Sequence, residues 1–264
     1  MTEPFRHLPF ERAVNFRDLG GYPCADGRHT RWRLLFRSGH LARLTERDVH
    51  SFQELGVSHV YDFRSPTERT REPSYCIPSH LVRQLSISFQ QNHDELVEQW
   101  KQRKITDEAV LQAQEQVYRE IVIDHVDRYR EMFDGILAGK GAPFVMHCSG
   151  GKDRTGIASV LLLSALGAGK DIIYLDYLET LQNRATVLWI KKLARDYLET
   201  GGSDGRDGVE ERAFQLFGVT RERLTIALTA MSEVGGSIAG YLERYVRLTA
   251  KNIEQLRDWY LEQA

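Results

Sequence analysis

One stretch of the sequence restricts the fold more than any other: an apolar segment runs into a cysteine-containing loop, which runs into a helix without a polar side. Residues 143–146 read Pro-Phe-Val-Met, and residues 157–166 read Ile-Ala-Ser-Val-Leu-Leu-Leu-Ser-Ala-Leu. A helix that is apolar nearly all round has to be buried. We therefore predict a buried strand at 143–146, a loop after it, and a buried helix that starts near Arg154.

The rest of the chain alternates between predicted strands and helices. Residues 20–31 are rich in Gly, Pro and Asp and are predicted to form turns and loops. The predicted strands are 34–36, 57–63, 81–87 and 143–146, and the predicted helical regions are 45–56, 94–137 and the chain from 170 to its end. This alternation predicts an α/β fold of three layers with a largely parallel central sheet and a helical C-terminal region. A length of 264 residues is within the range of one core, so we predict a single domain over residues 1–264.

The charge balance argues against some partners. Lys and Arg number 35 and Asp and Glu number 37, for a formal net charge of -2, so no global field attracts nucleic acid or an acidic membrane. Any anion must therefore bind at a local site. No apolar run approaches the roughly 20 residues that span a bilayer, and residues 1–11 lack the apolar core of a conventional signal peptide. We expect no nucleic-acid partner, no integral membrane segment and a cytoplasmic location.

The chain has three cysteines, Cys24, Cys76 and Cys148. An odd, sparse set without a Cys-x-x-Cys pair argues against a disulfide framework and against a zinc site. His93 and His125 add no spacing typical of metal ligands. We therefore expect a reducing compartment, no metal and no cofactor.

The loop between the predicted strand and the buried helix reads His-Cys-Ser-Gly-Gly-Lys-Asp-Arg-Thr-Gly, residues 147–156. A loop in this position aims backbone N–H groups and the positive end of a helix dipole at one point, which makes an anion cradle. Five residues separate Cys148 from Arg154, so the loop can fold back and bring the guanidinium beside the sulfur. The helix dipole, the amides and Arg154 all favour the ionised thiolate. The same groups would hold a phosphoryl dianion and its transition state.

Each residue of the loop then has a predicted role. Cys148 is the nucleophile, and the phosphate-binding arc is Ser149, Gly150, Gly151, Lys152, Asp153 and Arg154. The two glycines permit close approach of the backbone to phosphate. Thr155 can donate its hydroxyl to the sulfur, and His147 can brace the loop backbone. A nucleotide-binding loop would require Ser or Thr after Gly-Lys, where this chain has Asp153, and a sulfurtransferase loop has no need for the arginine. In the remaining alternative the cysteine is buried and inert, and Arg154 is a surface charge.

The loop resembles the signature of cysteine-dependent phosphatases, and four other segments resemble the bacterial atypical tyrosine phosphatases that also dephosphorylate phosphoinositides. These segments are Asn-Phe-Arg-Asp-Leu-Gly-Gly-Tyr (15–22), Phe-Arg-Ser-Gly (36–39), Asp-Phe-Arg-Ser (62–65) and Gly-Ser-Ile-Ala-Gly-Tyr-Leu (236–242). The resemblance implies a tyrosine-phosphatase-like fold and a phosphocysteine intermediate. It implies activity on phosphotyrosine, and in some relatives on phosphoserine, phosphothreonine or phosphoinositides. It also implies a helical lid, which we place at 89–124, and it leaves unconventional secretion open because several relatives are secreted effectors.

The leaving group of such a reaction needs a proton, and three aspartates are candidates for the general acid. Asp153 lies inside the cradle, and the order Lys-Asp-Arg resembles lipid-phosphatase loops in which the aspartate has this proposed role. Asp62 ends a predicted strand, a place where parallel sheets put functional side chains. Asp94 follows the strand at 81–87. We rank them in that order.

Other assignments have alternatives that the sequence leaves open. Lys152 either contacts a second phosphate of the substrate or only stabilises the loop. Arg64 and Glu68 are predicted to form a local ion pair. The segment 89–124 is either a lid or a surface helical pair, and a phosphate-binding adaptor with little catalytic activity is the alternative to an enzyme. The physiological substrate and the oligomeric state are not predicted.

Overall fold

The computed structural model describes residues 6–89, 93–199 and 208–263, without the side chains of residues 93 and 94. The strands are β1 (Arg17–Asp18), β2 (Arg28–Thr30), β3 (Leu35–Ser38), β4 (His59–Asp62), β5 (Val82–Gln84), β6 (Phe144–His147) and β7 (Leu261–Gln263). The helices are α1 (Glu46–Glu54), α2 (Pro66–Arg71), α3 (His93–Lys101), α4 (Asp107–Ile123), α5 (Val126–Ala138), α6 (Asp153–Leu166), α7 (Lys170–Leu178), α8 (Arg184–Glu199), α9 (Val209–Phe217), α10 (Arg221–Gly235), α11 (Ile238–Arg244) and α12 (Ala250–Tyr260).

The main sheet has five strands in the order β1-β3-β6-β4-β5. Strands β3, β6, β4 and β5 are parallel, and β1 pairs antiparallel with β3 at one edge. The predicted α/β fold with a mostly parallel central sheet is therefore confirmed. Because β6 is the central strand, the loop that follows it emerges in the middle of the sheet's carboxyl edge. Ligand sites of open parallel sheets form at this edge.

The side chains of the central strands alternate between two hydrophobic layers, as the two-residue period of a strand requires. Phe36, Val60 and Val145 point to the layer that contains Phe52 of α1. Their neighbours, such as Tyr61, point to the opposite layer, which contains α6 and the C-terminal helices. The sheet therefore lies between two helical layers, and α6 is buried on nearly every side, as its apolar sequence predicts.

A second group of helices has its own hydrophobic core, which we call the helical cluster. It consists of α3, the start of α4, α8 and α9, and its buried residues are Leu96, Val97, Trp100, Val110, Ile190, Leu193, Ala194, Tyr197, Val209, Ala213, Leu216 and Phe217. The segment predicted as a lid, 89–124, supplies only α3 and α4. The C-terminal part of α4 packs instead into the main core, through residues such as Ile121. Sequence reasoning assigned α8 and α9 to the C-terminal helical region, because pairing between distant helices leaves no local signal.

Two local predictions are wrong. The chain is not helical to its end: β7 pairs antiparallel with β2, whose residues 28–30 were predicted as loop. Both strands are short and mostly polar, and they lie about 230 residues apart, so neither has the periodicity from which a strand is predicted.

Within the described ranges, no helix combines the length and the apolar character needed to cross a bilayer.

Candidate active site

The loop after β6 emerges from the core of the protein. Strand β6 is buried along its whole length and leads into Cys148, which is 2% exposed. Helix α6 begins at Asp153, so its N-terminal end faces the loop. The flanking residues Ser149 and Arg154 line an open cleft of about 710 Å³. The sequence-predicted arc is thus assembled around one cleft at the carboxyl edge of the sheet.

The conformation of this loop requires glycine at position 151. Gly151 has a φ of +65°, and a Cβ atom there would lie 2.5 Å from the backbone nitrogen of Gly39 and from the carbonyl of Ser38. Neither backbone atom can move out of the way. The loop is held from the same side by Asn15, whose amide donates to the Gly151 carbonyl at 2.9 Å, and by the backbone N–H of His40, which donates to the Ser149 carbonyl at 2.8 Å.

A buried ion network extends from this contact into the core. Arg37 donates to the Gly151 carbonyl at 2.8 Å and pairs with Asp176 of α7 at 2.5 Å. Arg17 donates to the same carboxylate at 3.1 Å. Burial alone would raise the pKa of Asp176, but the charges of Arg37 and Arg17 outweigh burial and lower it. Arg37 therefore ties the loop to the core, and Arg17 supports it through the shared carboxylate of Asp176.

Arg154 is held by a carboxylate that sequence reasoning assigned elsewhere. Its Nη1 and Nη2 donate to the two carboxylate oxygens of Glu68 at 2.6 and 2.7 Å, and Nη1 also reaches the Ile87 carbonyl at 3.1 Å. Burial alone would lower the pKa of Arg154, but the bond to Glu68 and the nearby Cys148 sulfur raise it. The same ion pair holds the pKa of Glu68 well below its usual value, although burial acts in the opposite direction.

The predicted pair between Arg64 and Glu68 is wrong. Arg64 instead pairs with Asp62 at 2.8 Å, and both side chains are 2% exposed. Glu68 is the third residue of α2, where Ser65 caps the helix and donates its backbone N–H to Glu68 Oε2 at 2.7 Å. The sequence Ser-Pro-Thr-Glu carries this capping-box signal. The signal locates Glu68 on the helix but does not reveal that α2 lies beside Arg154.

Substitution of Glu68 by glutamine should lower kcat/KM for an aryl phosphate by about tenfold to a hundredfold. The change removes the charge that orients Arg154, and a hydrogen bond to a charged group contributes about 1.5–3 kcal/mol. Steady-state kinetics would measure the loss. Glu72→Gln is the matched control, because Glu72 lines the same cleft but pairs with Arg43 and His40. Equal losses in the two variants would contradict a specific role of Glu68.

The second candidate for the general acid is tied into a buried pair. Asp62 accepts hydrogen bonds from the backbone N–H, Nε and Nη2 of Arg64. Burial alone would raise its pKa, but His147 and Arg64 lower it. Asp62 does not line the cleft. His147 links it to the loop: Nε2 lies 3.7 Å from Asp62 Oδ1, and Nδ1 lies 3.3 Å from the Cys148 carbonyl oxygen.

The first candidate, Asp153, lines the cleft, and its side chain is 22% exposed. The hydroxyl of Tyr118 in α4 donates to Asp153 Oδ1, and Tyr118 in turn forms a hydrogen bond with the hydroxyl of Tyr177. Burial raises the pKa of both tyrosines far above their ordinary value, so both remain protonated. Asp153 is therefore held by a helix that also borders the cleft. The side chain of the third candidate, Asp94, lies outside the described residues.

The surrounding structure sets the direction of two side chains at the end of the loop. Lys152 Nζ donates to the Phe217 carbonyl at 2.7 Å and lies 3.5 Å from Asp153 Oδ2. Burial lowers the pKa of Lys152. The Thr155 hydroxyl is buried and, among the described residues, has no hydrogen-bond partner, so the expected bond to the sulfur is not formed. Both side chains come from the start of a buried helix, and packing against neighbours far along the chain sets their direction.

Three large apolar residues line the cleft beside the loop: Phe89 and Val117 belong to the segment predicted as a lid, and Trp189 was missed by sequence reasoning. The ring of Phe89 lies 5.1 Å from the Arg154 guanidinium. Val117 lies in α4 and Trp189 in α8. Apart from the family resemblance, which points to a lid, no local pattern separates these side chains from ordinary core residues. Within the described ranges, no three His, Cys, Asp or Glu side chains form a group that could hold a metal ion.

The fold and the site define a class of α/β proteins that carry a cysteine and an arginine in one loop at the carboxyl edge of a mostly parallel sheet. The sequence profile described as the tyrosine phosphatase family matches residues 8–262. The chain therefore belongs to the tyrosine phosphatase family.

Three relatives illustrate this membership. A Cupriavidus necator protein provisionally named a tyrosine-protein phosphatase is 38% identical over 185 residues, which are 68% of this chain and 65% of that protein. The triple specificity protein phosphatase PtpB of Mycobacterium tuberculosis is 27% identical over 267 residues, with 90% of this chain and 92% of PtpB covered. A tyrosine-protein phosphatase of Nostoc commune is 27% identical over 141 residues, 53% of this chain and 46% of that protein. The match to the first of these spans slightly less than two thirds of its length.

Proposed function

We propose that the protein is a cysteine-dependent phosphatase that needs no metal ion and acts on phosphotyrosine and on phosphoinositides. The observation that carries this proposal is the arrangement of Cys148 in a glycine loop against the N-terminal end of α6, with Arg154 clamped by Glu68. An anion cradle around a thiol suits covalent phosphoryl transfer, because the groups that ionise the sulfur also bind the phosphoryl oxygens.

In the first chemical step, the Cys148 thiolate attacks phosphorus and forms an S–P bond while the P–O bond to the leaving group breaks. The departing oxygen takes a proton from Asp153. In the second step, water attacks phosphorus, Asp153 takes up the proton of that water, and the S–P bond breaks to release phosphate and the thiolate. Backbone amides of the loop and the Arg154 guanidinium stabilise the charge on the transferred group in both steps.

Asp153 is favoured as the general acid over Asp62 by access and by hydrogen bonding. Asp153 lines the cleft, where a leaving group has access to its carboxyl group, and Tyr118 donates to its Oδ1. Both carboxylate oxygens of Asp62 accept hydrogen bonds from Arg64 in the core. A general acid must come within hydrogen-bond distance of the leaving oxygen.

The proposed substrate range follows from the shape of the cleft and the charges at its rim. A Cβ atom on Gly150 would meet nothing closer than the Lys152 side chain at 3.8 Å, so the rim is uncrowded there. Arg43 and Arg71 border the same cleft, and these side chains can meet a second phosphate in place of Lys152, which donates to the Phe217 carbonyl. The description of PtpB as a triple specificity phosphatase also supports more than one substrate class.

The purified protein should hydrolyse an aryl phosphate at an unchanged rate in excess EDTA. It should also release phosphate from phosphotyrosine peptides and from soluble short-chain phosphoinositides. Phosphate release measured on this substrate panel, with and without EDTA, tests the proposal. Loss of all activity in EDTA would indicate a metal-dependent enzyme, and no turnover on any substrate would indicate a phosphate-binding adaptor. Turnover of peptides alone would restrict the proposal to a protein tyrosine phosphatase.

A further inference from the structure

Helix α8 has an apolar inner face that the helical cluster already covers. Ile190, Leu193, Ala194 and Tyr197 of this helix are all buried against α3, α4 and α9. The indole of Trp100 stacks on the Tyr197 ring with their centroids 4.4 Å apart. The apolar face that anchors α8 to the protein is therefore already buried, and the opposite face would be expected to be polar.

The outer face of α8 instead combines apolar and basic side chains. Leu188 is 52% exposed and Trp189 is 38% exposed. The basic residues of the helix are all exposed, and they are Arg184, Lys191, Lys192 and Arg195. Relative to Arg184, Leu188 and the other three cations lie at i+4, i+7, i+8 and i+11, which is one helix face. We call this surface, with Trp189 beside it, the outer face of α8.

The charge of this face is opposite in sign to that of the whole chain. The helix carries four basic and two acidic side chains, whereas the chain has a formal net charge of -2. Lys191 pairs with Glu210 and Lys192 pairs with Asp196, at 2.8 and 2.9 Å. Arg184 and Arg195 have no ion-pair partner among the residues that the structure describes. The small net charge of the whole chain therefore does not reflect the local excess of basic side chains on α8.

The outer face borders the mouth of the active-site cleft. Trp189 lines the cleft together with its helix neighbours Ala185 and Thr186. Arg43 and Arg71 line the same cleft, and the Arg43 side chain is 68% exposed. Basic side chains at the cleft therefore add to the cations, the leucine and the tryptophan that an anionic surface would meet on α8.

We propose that the outer face of α8 docks on an anionic lipid bilayer and places the cleft over the lipid headgroups. Leucine and tryptophan insert at the boundary between headgroups and acyl chains, and basic side chains are attracted to the anionic leaflet. Docking would give the active site access to phosphorylated headgroups, and this benefit rests on the proposed function. Docking itself needs no turnover and is measured without it.

Cosedimentation of the full chain with lipid vesicles tests the docking surface. Phosphatidylcholine vesicles that contain phosphatidylserine should bind the protein, pure phosphatidylcholine vesicles should bind it weakly, and added salt should release it. The double variant R184Q/R195Q should partition about 25-fold more weakly, because each basic side chain near an anionic surface contributes about fivefold. Leu188→Asn should weaken partitioning by about fivefold through loss of half-exposed apolar surface.

The matched control removes two exposed cations at the opposite edge of the sheet. Arg33 and Lys140 precede β3 and β6, so R33Q/K140Q changes the net charge equally but leaves the outer face of α8 intact. It should bind the anionic vesicles like the wild type. Hydrolysis of a soluble aryl phosphate by R184Q/R195Q at the wild-type rate would show that this variant is folded.

Two results would overturn the proposal: equal binding to both kinds of vesicle, or equal loss in R184Q/R195Q and R33Q/K140Q. A third would replace it, namely a Leu188→Asn variant that binds vesicles normally but loses kcat/KM on phosphopeptides with apolar neighbours. The outer face would then recognise a peptide. If the vesicle results are as expected but no phosphoinositide is hydrolysed, the docking proposal is supported and the proposed activity on phosphoinositides is rejected.

Discussion

Replacement of Cys148 by serine is expected to abolish turnover while inorganic phosphate still binds. The serine hydroxyl is a far weaker nucleophile than a thiolate, and loss of a covalent nucleophile typically lowers kcat by about 10⁶-fold. The cradle is built from backbone amides, α6 and Arg154, none of which the substitution removes. Phosphate release would measure kcat, and titration calorimetry would measure the dissociation constant of phosphate.

Cys76→Ser is the matched control, because Cys76 is an exposed cysteine that is not part of the loop. It should retain the wild-type kcat. Multiple turnover by the Cys148→Ser variant at a measurable fraction of the wild-type rate would rule out the covalent mechanism. Loss of phosphate binding in the same variant would mean that the sulfur, rather than the amides and Arg154, holds the anion.

The second large effect is expected for the general acid. Asp153→Asn should lower kcat by about 10²–10⁴-fold for substrates with a poor leaving group, and far less for an activated aryl phosphate whose leaving group needs no proton. The comparison requires a series of aryl phosphates of graded leaving-group pKa. The slope of log kcat against leaving-group pKa should become steeper in the variant.

Asp62→Asn serves as the comparison because it changes the same functional group at the other candidate position. Asp62 and Arg64 form a pair with side chains 2% exposed, and removing one partner of a buried ion pair costs about 3–5 kcal/mol. We therefore expect a lower free energy of unfolding and no leaving-group dependence of kcat. If Asp62→Asn instead shows the steeper slope, the acid assignment is reversed.

The fold class could be predicted because its signals are local. The all-apolar helix at 157–166 has to be buried, and a short apolar strand precedes it, so these residues identify the centre of the sheet and the loop beside it. Short polar strands gave no such signal: β2 and β7 pair across most of the chain and were predicted as loop and helix. The resemblance to the tyrosine phosphatase family was also visible in the sequence, because each matching segment is a continuous stretch of residues that can be compared without knowledge of the fold.

The proximity of Cys148 and Arg154 could be predicted for the same reason. The side chains that hold the loop residues in place could not be predicted. Cys148 and Arg154 are six positions apart in one loop, so spacing alone brings them together. Glu68 lies 86 residues from Arg154, and nothing in the sequence around it distinguishes this partner from Arg64. Tyr118 and Tyr177 reach Asp153 from two helices that only the tertiary structure brings together. The predicted roles of the loop residues and the single-domain boundary remain predictions.

What the sequence by itself determined is the chemistry available to the protein: a thiol, a guanidinium and glycine-rich backbone in one arc, next to a helix that has to be buried. What only the tertiary structure decided is the direction of each charged side chain around that arc. Lys152 is the clearest case, since its position in the loop suggests a contact with substrate, whereas the end of α9 draws its ammonium group inward to the Phe217 carbonyl. Long side chains turn toward whichever acceptor the packing supplies, and that acceptor can lie anywhere in the chain.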